Sequence, residues 1–146
     1  MTYLAEFYAR VTTDPVYLEE ELAKDSNVSR DEIMEGMAAQ TGSFARWAYA
    51  AARAEDKAKK LKHRAEKIVF SEARLRAREK GGGNKQTAAD LEALANLDPE
   101  FQEAKAQQLE AEAIYELLHK AEFVLIQRRD MLQSMNSRQK EEMRGY

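Results

Sequence analysis

The sequence has no cysteine, only two prolines and six glycines, and no long apolar run. Without cysteine the chain forms no disulfide and offers no thiolate to a metal or to catalysis. Its longest apolar stretches begin at Trp47 and Phe123, and charged residues end both far short of the roughly 18 residues that a membrane span needs. The first residues include an acid and lack the basic and apolar regions of a signal peptide. We therefore expect a cytoplasmic protein with no membrane contact.

The few prolines and glycines fall mainly at positions that begin or end helices, and no segment alternates apolar with polar residues as a strand does. Asp14 and Asp98 each precede a proline, which is typical of an N-cap and first helical residue. Ser29 with Glu32 has the spacing of a capping box, and Thr87 is a further N-cap candidate. These signals predict an all-α fold, with a single helical domain over residues 1–146 in which long helices form an elongated hairpin. The predicted elements are a short helix at 15–24, a long basic helix at 30–80, a glycine-rich loop at 81–86, a short helix at 88–97 and a C-terminal oligomerisation helix at 99–142.

Charge is strongly segregated along the chain, although the net charge is only -3. Residues 46–85 hold 13 Lys and Arg against 5 Asp and Glu, whereas residues 86–126 hold 2 against 9. A basic module thus lies within an acidic protein, which favours a negatively charged partner for this segment.

The long basic helix combines an apolar seam with a row of cations. Residues spaced alternately three and four apart form a heptad seam that is mostly alanine in its middle and ends at Ile68, Glu72 and Leu75. Because alanine side chains are small, this seam favours close pairing with another long helix. One residue earlier in each step lies a basic row that spans about 48 Å. Such a row matches a polyanion, although charges on a long helix are often only a solvated face with i,i+4 ion pairs. We predict DNA contacts from this row and from the cations near the helix end: Arg46, Arg53, Lys57, Lys60, Arg64, Lys67, Arg74, Arg76, Arg78, Lys80 and Lys85.

The C-terminal helix has an apolar face that is wider than a two-helix seam. We interpret this face as an oligomerisation surface, with an intramolecular hairpin as the alternative. The predicted oligomerisation residues are Ile114, Leu117, Leu118, Val124, Leu125, Met131 and Leu132.

Catalytic and cofactor sites find little support in the sequence. His63 and His119 have no second histidine, cysteine or carboxylate pair at ligand spacing. The glycine-rich segment from Gly81 follows a helix and lacks the Gly-Lys-Ser/Thr ending of a phosphate-binding loop. We expect no enzyme activity, no metal and no cofactor.

Several segments resemble the UvsY family of phage recombination mediators. The resemblance begins at LEEELAKD from Leu18 and continues through Val28, Ser29, Ile33 and the pair Arg46–Trp47. It then reaches EARLRAREKGGG, residues 72–83, where the family has Lys-Ala-Arg-Leu followed by a glycine-rich loop. Beyond Asp98 it persists as helical register more than as identities.

The resemblance implies a protein that binds single-stranded DNA and helps to load a RecA-like recombinase onto it. It also implies contact with a single-strand-binding protein, and a ring-shaped homo-oligomer, heptameric in the family, held by the C-terminal helices. A phage-encoded member would act in the host cytoplasm. Arg74 matches the arginine of the family motif, while Glu72 stands where the family has lysine.

Two other functional classes fit the same residues less fully. A helical scaffold or adaptor uses such helices for assembly without nucleic acid. A transcription regulator normally has two compact helices joined by a short turn, and the sequence has no clear element of this kind.

Overall fold

The computed structural model describes residues 2–26, 33–81 and 85–145, and for residues 33–43 the backbone alone. The described residues contain helices and no strand, which confirms the all-α fold class. The helices are α1 (Tyr3–Thr13), α2 (Pro15–Ser26), α3 (Ile33–His63), a π-helical segment (Arg64–Val69), α4 (Phe70–Lys80), α5 (Ala88–Asn96) and α6 (Pro99–Arg144). The predicted capping box of Ser29 and Glu32 and the middle of the glycine-rich loop lie outside the described residues.

Side-chain caps fix where three of these helices begin. Asp14 Oδ1 accepts hydrogen bonds from the backbone N–H groups of Val16 and Tyr17, both at 3.1 Å, at the start of α2. Thr87 and Asp90 form a reciprocal capping box at the start of α5. Asp98 Oδ2 accepts from the N–H of Phe101 at 3.1 Å where α6 begins. Each cap satisfies backbone donors that have no partner within the helix, so these starts follow from local sequence.

The N-terminal helix α1 has no counterpart in the sequence prediction. Its N-cap is Thr2, whose hydroxyl accepts a hydrogen bond from Ala5 N–H at 3.3 Å. Phe7 and Val11 are buried and lie four residues apart, as expected for one helical face. A threonine cap ahead of this apolar spacing was the available signal.

Contacts divide the chain into two compact units. Unit 1 comprises residues 1–53 and 116–146, and unit 2 comprises residues 54–115. Unit 1 has the larger buried side chains, because Trp47 is fully buried and meets Phe7 edge to face at 5.1 Å between ring centroids. Three leucines of α6 are also fully buried in this unit: Leu118, Leu125 and Leu132.

Unit 2 has a thinner core built mainly from alanine. Ala65 and Val69 of the π-helical segment form a buried cluster with Ala104 of α6, against which Phe101 packs. Helix α4 packs against α5, whose Leu91 is buried. Small side chains let the helices approach closely but bury little apolar area each, as the alanine-rich seam predicts.

The π-helical segment changes which residues of the following helix face inward. The Phe70 N–H group donates to the Ala65 carbonyl, five residues back, so the turn contains one residue more than an α-helical turn. Downstream, Ala73 and Ala77 are buried. The predicted seam is therefore wrong from Ile68 onward: Ile68 and Leu75 are 49% and 57% exposed, and Glu72 is exposed too. The shift has a physical benefit, because a regular α-helical register would place the Glu72 carboxylate in the buried row.

Candidate nucleic-acid interface

Four cations cluster in sequence at the end of α4 and just after it. Arg78, Lys80 and Lys85 are exposed and Arg74 is half-buried. Across the described part of the chain, none of the four forms an ion pair; we call them the terminal cations. Because they have no carboxylate partner among the described residues, the terminal cations can bind an external anion.

Arg76 lies among these residues in sequence but is held by carboxylates. Its Nε and Nη2 atoms donate to the two oxygens of Asp98 at 3.1 and 2.7 Å, and its Nη1 lies 3.3 Å from Glu100. The hydrogen bond from Arg76 lowers the pKa of Asp98, and the same bond raises the pKa of Arg76. Because Asp98 also caps α6, this bidentate pair fixes α4 to the start of α6 within unit 2.

Arg46 is the most enclosed of the predicted DNA contacts. Its side chain is 11% exposed and pairs with Asp25 at 2.5 Å and Glu21 at 2.9 Å. Burial alone would lower the pKa of Arg46, but the hydrogen bonds that Arg46 donates to Asp25 and Glu21 outweigh it and raise that pKa. The hydrogen bond from Arg46 in turn lowers the pKa of Glu21. Arg46 therefore ties α3 to α2 and offers little surface to a polyanion.

The cations that precede the terminal group differ in their engagement. Arg53 stacks over Tyr8, with its Cζ atom 5.1 Å from the ring centroid, and donates to the Tyr49 hydroxyl at 2.9 Å. Lys60 pairs with Asp56 at 2.8 Å, but both side chains are well exposed and such a pair is easily exchanged. The remaining three are exposed and form no ion pair with a described residue: Lys57, Arg64 and Lys67.

Arg64 has acidic neighbours that the sequence pattern did not reveal. It shares a surface cleft in unit 2 with Glu72, Glu100 and Glu103. These carboxylates oppose a nearby phosphate, so we rank Arg64 below the terminal cations as a DNA contact.

The π-helical segment also breaks the predicted straight row of cations. Arg46, Arg53, Lys57 and Arg64 each precede a buried residue of the seam, whereas Arg74 and Arg78 each follow one, Ala73 and Ala77. One added residue turns the downstream side chains by about 100° relative to a regular helix. Within unit 2, Lys57 and Arg64 thus lie on a different helical face from Arg74 and Arg78.

An open cleft of about 350 Å³ lies where α4, α5 and the start of α6 meet. Leu94 and Leu97 line one side and are 45% and 68% exposed. Ala77 lines the α4 side, and Arg76, Lys80 and Gln86 supply polar groups. We call this the α4–α5 cleft; it adjoins the terminal cations through Lys80.

The predicted oligomerisation residues separate into two rows on α6. Leu118, Leu125 and Leu132, seven residues apart, are fully buried within the chain, so they are not available to a partner in the folded subunit. The row one residue earlier is 49%, 40% and 41% exposed and consists of Leu117, Val124 and Met131; we call it the exposed α6 row. Ile114 is half-buried and lines a small cleft with Leu61 in unit 2.

Within the exposed α6 row, a charged residue interrupts the apolar surface. Arg128 is half-buried, and its Nε atom is buried without a hydrogen-bond partner among the described residues, while Nη1 lies 3.9 Å from the Met131 sulfur. A buried guanidinium nitrogen without an acceptor is costly, so this position lowers the stability that the α6 packing provides.

The sequence pattern did not indicate that Arg46 and Arg76 pair with carboxylates. In both cases the acid lies at least 21 residues away, which no i,i+4 rule detects. A signal for the Arg76 pair did exist, because an N-cap aspartate such as Asp98 has a second oxygen available after capping its helix.

No group of three or more potential metal-ligating side chains occurs in the part of the chain that the structure describes, and no helix there is long and apolar enough to cross a membrane. No protein-family model matches the chain, and no curated protein or solved structure matches it.

Proposed function

We propose that this protein is a single-stranded-DNA-binding recombination mediator that helps to load a RecA-like recombinase during phage recombination or repair. The observation that carries the DNA-binding part is the group of terminal cations, which lacks ion-pair partners among the described residues. The mediator role rests on the resemblance to UvsY of the segments around Leu18, Arg46 and Glu72.

Exposed apolar residues between the cations support a single strand over a duplex. Ile68 directly follows Lys67, and Leu75 directly follows Arg74. Both apolar side chains are about half exposed. Apolar side chains contact bases that have left the stack, whereas a duplex presents mainly phosphates to a surface of this kind.

A ring of subunits would multiply a weak contact. Each chain contributes a few cations, and binding of one strand by several subunits converts later contacts into intramolecular ones. The exposed α6 row is the surface that we assign to this self-association, in the heptameric ring that the family implies. A strand held along such a ring is extended and available to the incoming recombinase.

The acidic N-terminal segment supplies a surface for protein partners. Glu19 and Glu20 of α2 are exposed and form no ion pair with the described residues. Such a surface complements a basic patch on a recombinase or on a single-strand-binding protein and would speed their encounter.

Salt dependence tests the DNA-binding proposal directly. We expect the affinity for a fluorescently labelled single strand such as oligo(dT) to fall linearly on a log–log plot against salt, with a slope of about -0.7 for each phosphate contacted. Three contacts per chain would give a slope near -2. Fluorescence anisotropy between 50 and 500 mM NaCl measures it, and a flat or absent response would reject nucleic-acid binding.

A helical scaffold or adaptor is the second candidate, and the exposed α6 row favours it equally. This protein would assemble through the same surface and ignore an oligonucleotide. The salt titration therefore separates the two functions, because assembly without DNA binding leaves only the scaffold.

Aspartate in the exposed α6 row is expected to disperse the assembly without unfolding the subunit. Leu117→Asp with Val124→Asp places two charges on exposed positions, so the far-UV circular dichroism should stay unchanged while the mass by light scattering falls to about 16.7 kDa. Leu109→Asp is the matched control, since Leu109 is 55% exposed on α6 outside this row. A wild-type mass already equal to one chain at micromolar concentration would contradict self-association. Aspartate at Leu118 or Leu125 does not serve this test, because those residues are buried in the subunit itself.

A further inference from the structure

We propose that the α4–α5 cleft accepts one unstacked nucleotide of the bound strand, with its base against the leucine side and its phosphate at Lys80. This inference rests on the proposed binding of single-stranded DNA and adds a site that receives a base. The terminal cations by themselves contact only the phosphates.

The size and lining of the cleft suit a single nucleotide. Its volume of about 350 Å³ lies near the lower end of the roughly 300–1,000 Å³ of small-molecule sites. Leu94 and Leu97, which line it, are 45% and 68% exposed, and Ala77 is a further apolar lining residue. A planar base that packs against these leucines removes apolar surface from water.

The charges around the cleft favour an anion at one end only. Among its lining residues, Arg76 is neutralised by Asp98, whereas Lys80 is exposed and has no ion-pair partner in the described ranges. Lys80 is therefore the group that receives a phosphate. The arrangement places the anionic part of a nucleotide at the α4 end, next to the other terminal cations.

Two polar groups of the cleft lining are suited to contact the base. The bidentate bonds to Asp98 fix the plane of the Arg76 guanidinium, and bases stack on such planes in single-strand sites. The Gln86 side chain lies over Gly81, since a Cβ atom built at Gly81 would meet it at 2.6–2.7 Å. Its amide provides both a donor and an acceptor for a base edge.

Occupancy of this cleft would make the protein selective for single strands. A base in a single strand only has to unstack to enter the cleft, whereas a base in a duplex must also lose its pairing partner. Entry therefore costs more free energy from a duplex than from a single strand. Phosphate contacts alone would not discriminate in this way.

Photo-crosslinking on the intact protein tests the site. An oligo(dT) carrying 5-iododeoxyuridine is bound, irradiated, and the attached peptide is identified by mass spectrometry. We expect attachment within residues 86–97. Adding millimolar dTMP should compete weakly, because a free nucleotide lacks the neighbouring phosphates that the other terminal cations hold.

Two leucine variants give a second measurement that does not depend on crosslinking. Leu94→Ser with Leu97→Ser should lower single-strand affinity about tenfold, as expected for the loss of one base contact, and leave the salt slope unchanged. Leu109→Ser is the matched control, because Leu109 is a similarly exposed leucine of the same unit that does not line the cleft.

The outcomes separate this inference from the proposed function. Absence of any strand binding by the wild-type protein rejects the proposed function and this site together. Normal binding with crosslinks outside the cleft, and with the leucine pair behaving like Leu109→Ser, rejects the nucleotide site alone. Crosslinking of a free iodinated nucleotide in the cleft, without crosslinking of the oligonucleotide there, would assign the cleft to a mononucleotide instead.

Discussion

Alanine at Arg74, Arg78 and Lys80 together is expected to lower the affinity for a single-stranded oligonucleotide about 100-fold at 0.1 M salt. Each lost phosphate contact removes about 0.7 from the log–log salt slope, so three contacts remove about 2, or two decades between 1 M and 0.1 M salt. The helical content should be unchanged, since none of the three forms an ion pair with a described residue. Fluorescence anisotropy at several salt concentrations measures both the affinity and the slope.

A charge-matched control keeps this result from reflecting net charge alone. Arg138, Lys140 and Arg144 are exposed near the end of α6, in unit 1, and their replacement by alanine removes the same three charges. We expect at most a few-fold effect from this second triple. Equal losses in the two triples would contradict a localised interface. Arg76 is left out of the test because it is paired with Asp98, so its loss would disturb the fold as well as the surface charge.

Replacing Trp47 by alanine is expected to have the largest effect on stability, about 3–5 kcal/mol of the free energy of unfolding. Trp47 is fully buried, meets Phe7 edge to face, and donates its indole N–H to Asp25 at 2.7 Å. The substitution leaves a cavity and removes a donor from a carboxylate that also holds Arg46. Urea unfolding followed by circular dichroism is the suitable measurement, because Trp47 is the sole tryptophan and its fluorescence is lost with it.

Phenylalanine at the same position separates packing from hydrogen bonding. Trp47→Phe keeps most of the ring contact and loses the N–H donor, so we expect a smaller loss of about 2 kcal/mol. A loss below about 1 kcal/mol for Trp47→Ala would contradict the fully buried position. Since Trp47 belongs to unit 1, single-strand binding by the terminal cations of unit 2 should survive in conditions where the variant remains folded.

Much of the helical fold was predictable because its signals are local. The Asp14–Pro15, Thr87 and Asp98–Pro99 starts all coincide with side-chain caps in the structure. The alanine seam predicted burial correctly at five of its six positions from Trp47 to Ala65, and the sixth, Leu61, is half-buried. These features depend on residues within one or two turns of each other, which a sequence displays directly.

The features that escaped prediction depend on distant residues or on a change of helical period. No periodic pattern indicated the π-helical segment, so Ile68 and Leu75 were assigned to a seam that they do not join. The division of the α6 leucines between buried and exposed rows depends on what packs beside each of them, which a helical wheel does not specify. The carboxylate partners of Arg46 and Arg76 depend on tertiary contacts for the same reason.

The π-helical segment has a consequence for recognising relatives of this chain. A homologue without the added residue between His63 and Phe70 would be one residue shorter there and would form a regular helix. Without a gap, its inward positions downstream would be paired with Ile68, Glu72 and Leu75 of this chain, although their structural counterparts are Val69, Ala73 and Ala77. Aligning two such sequences requires a gap inside a continuous helix, where alignments ordinarily place none, and an ungapped comparison would match the core residues of one protein with the surface residues of the other.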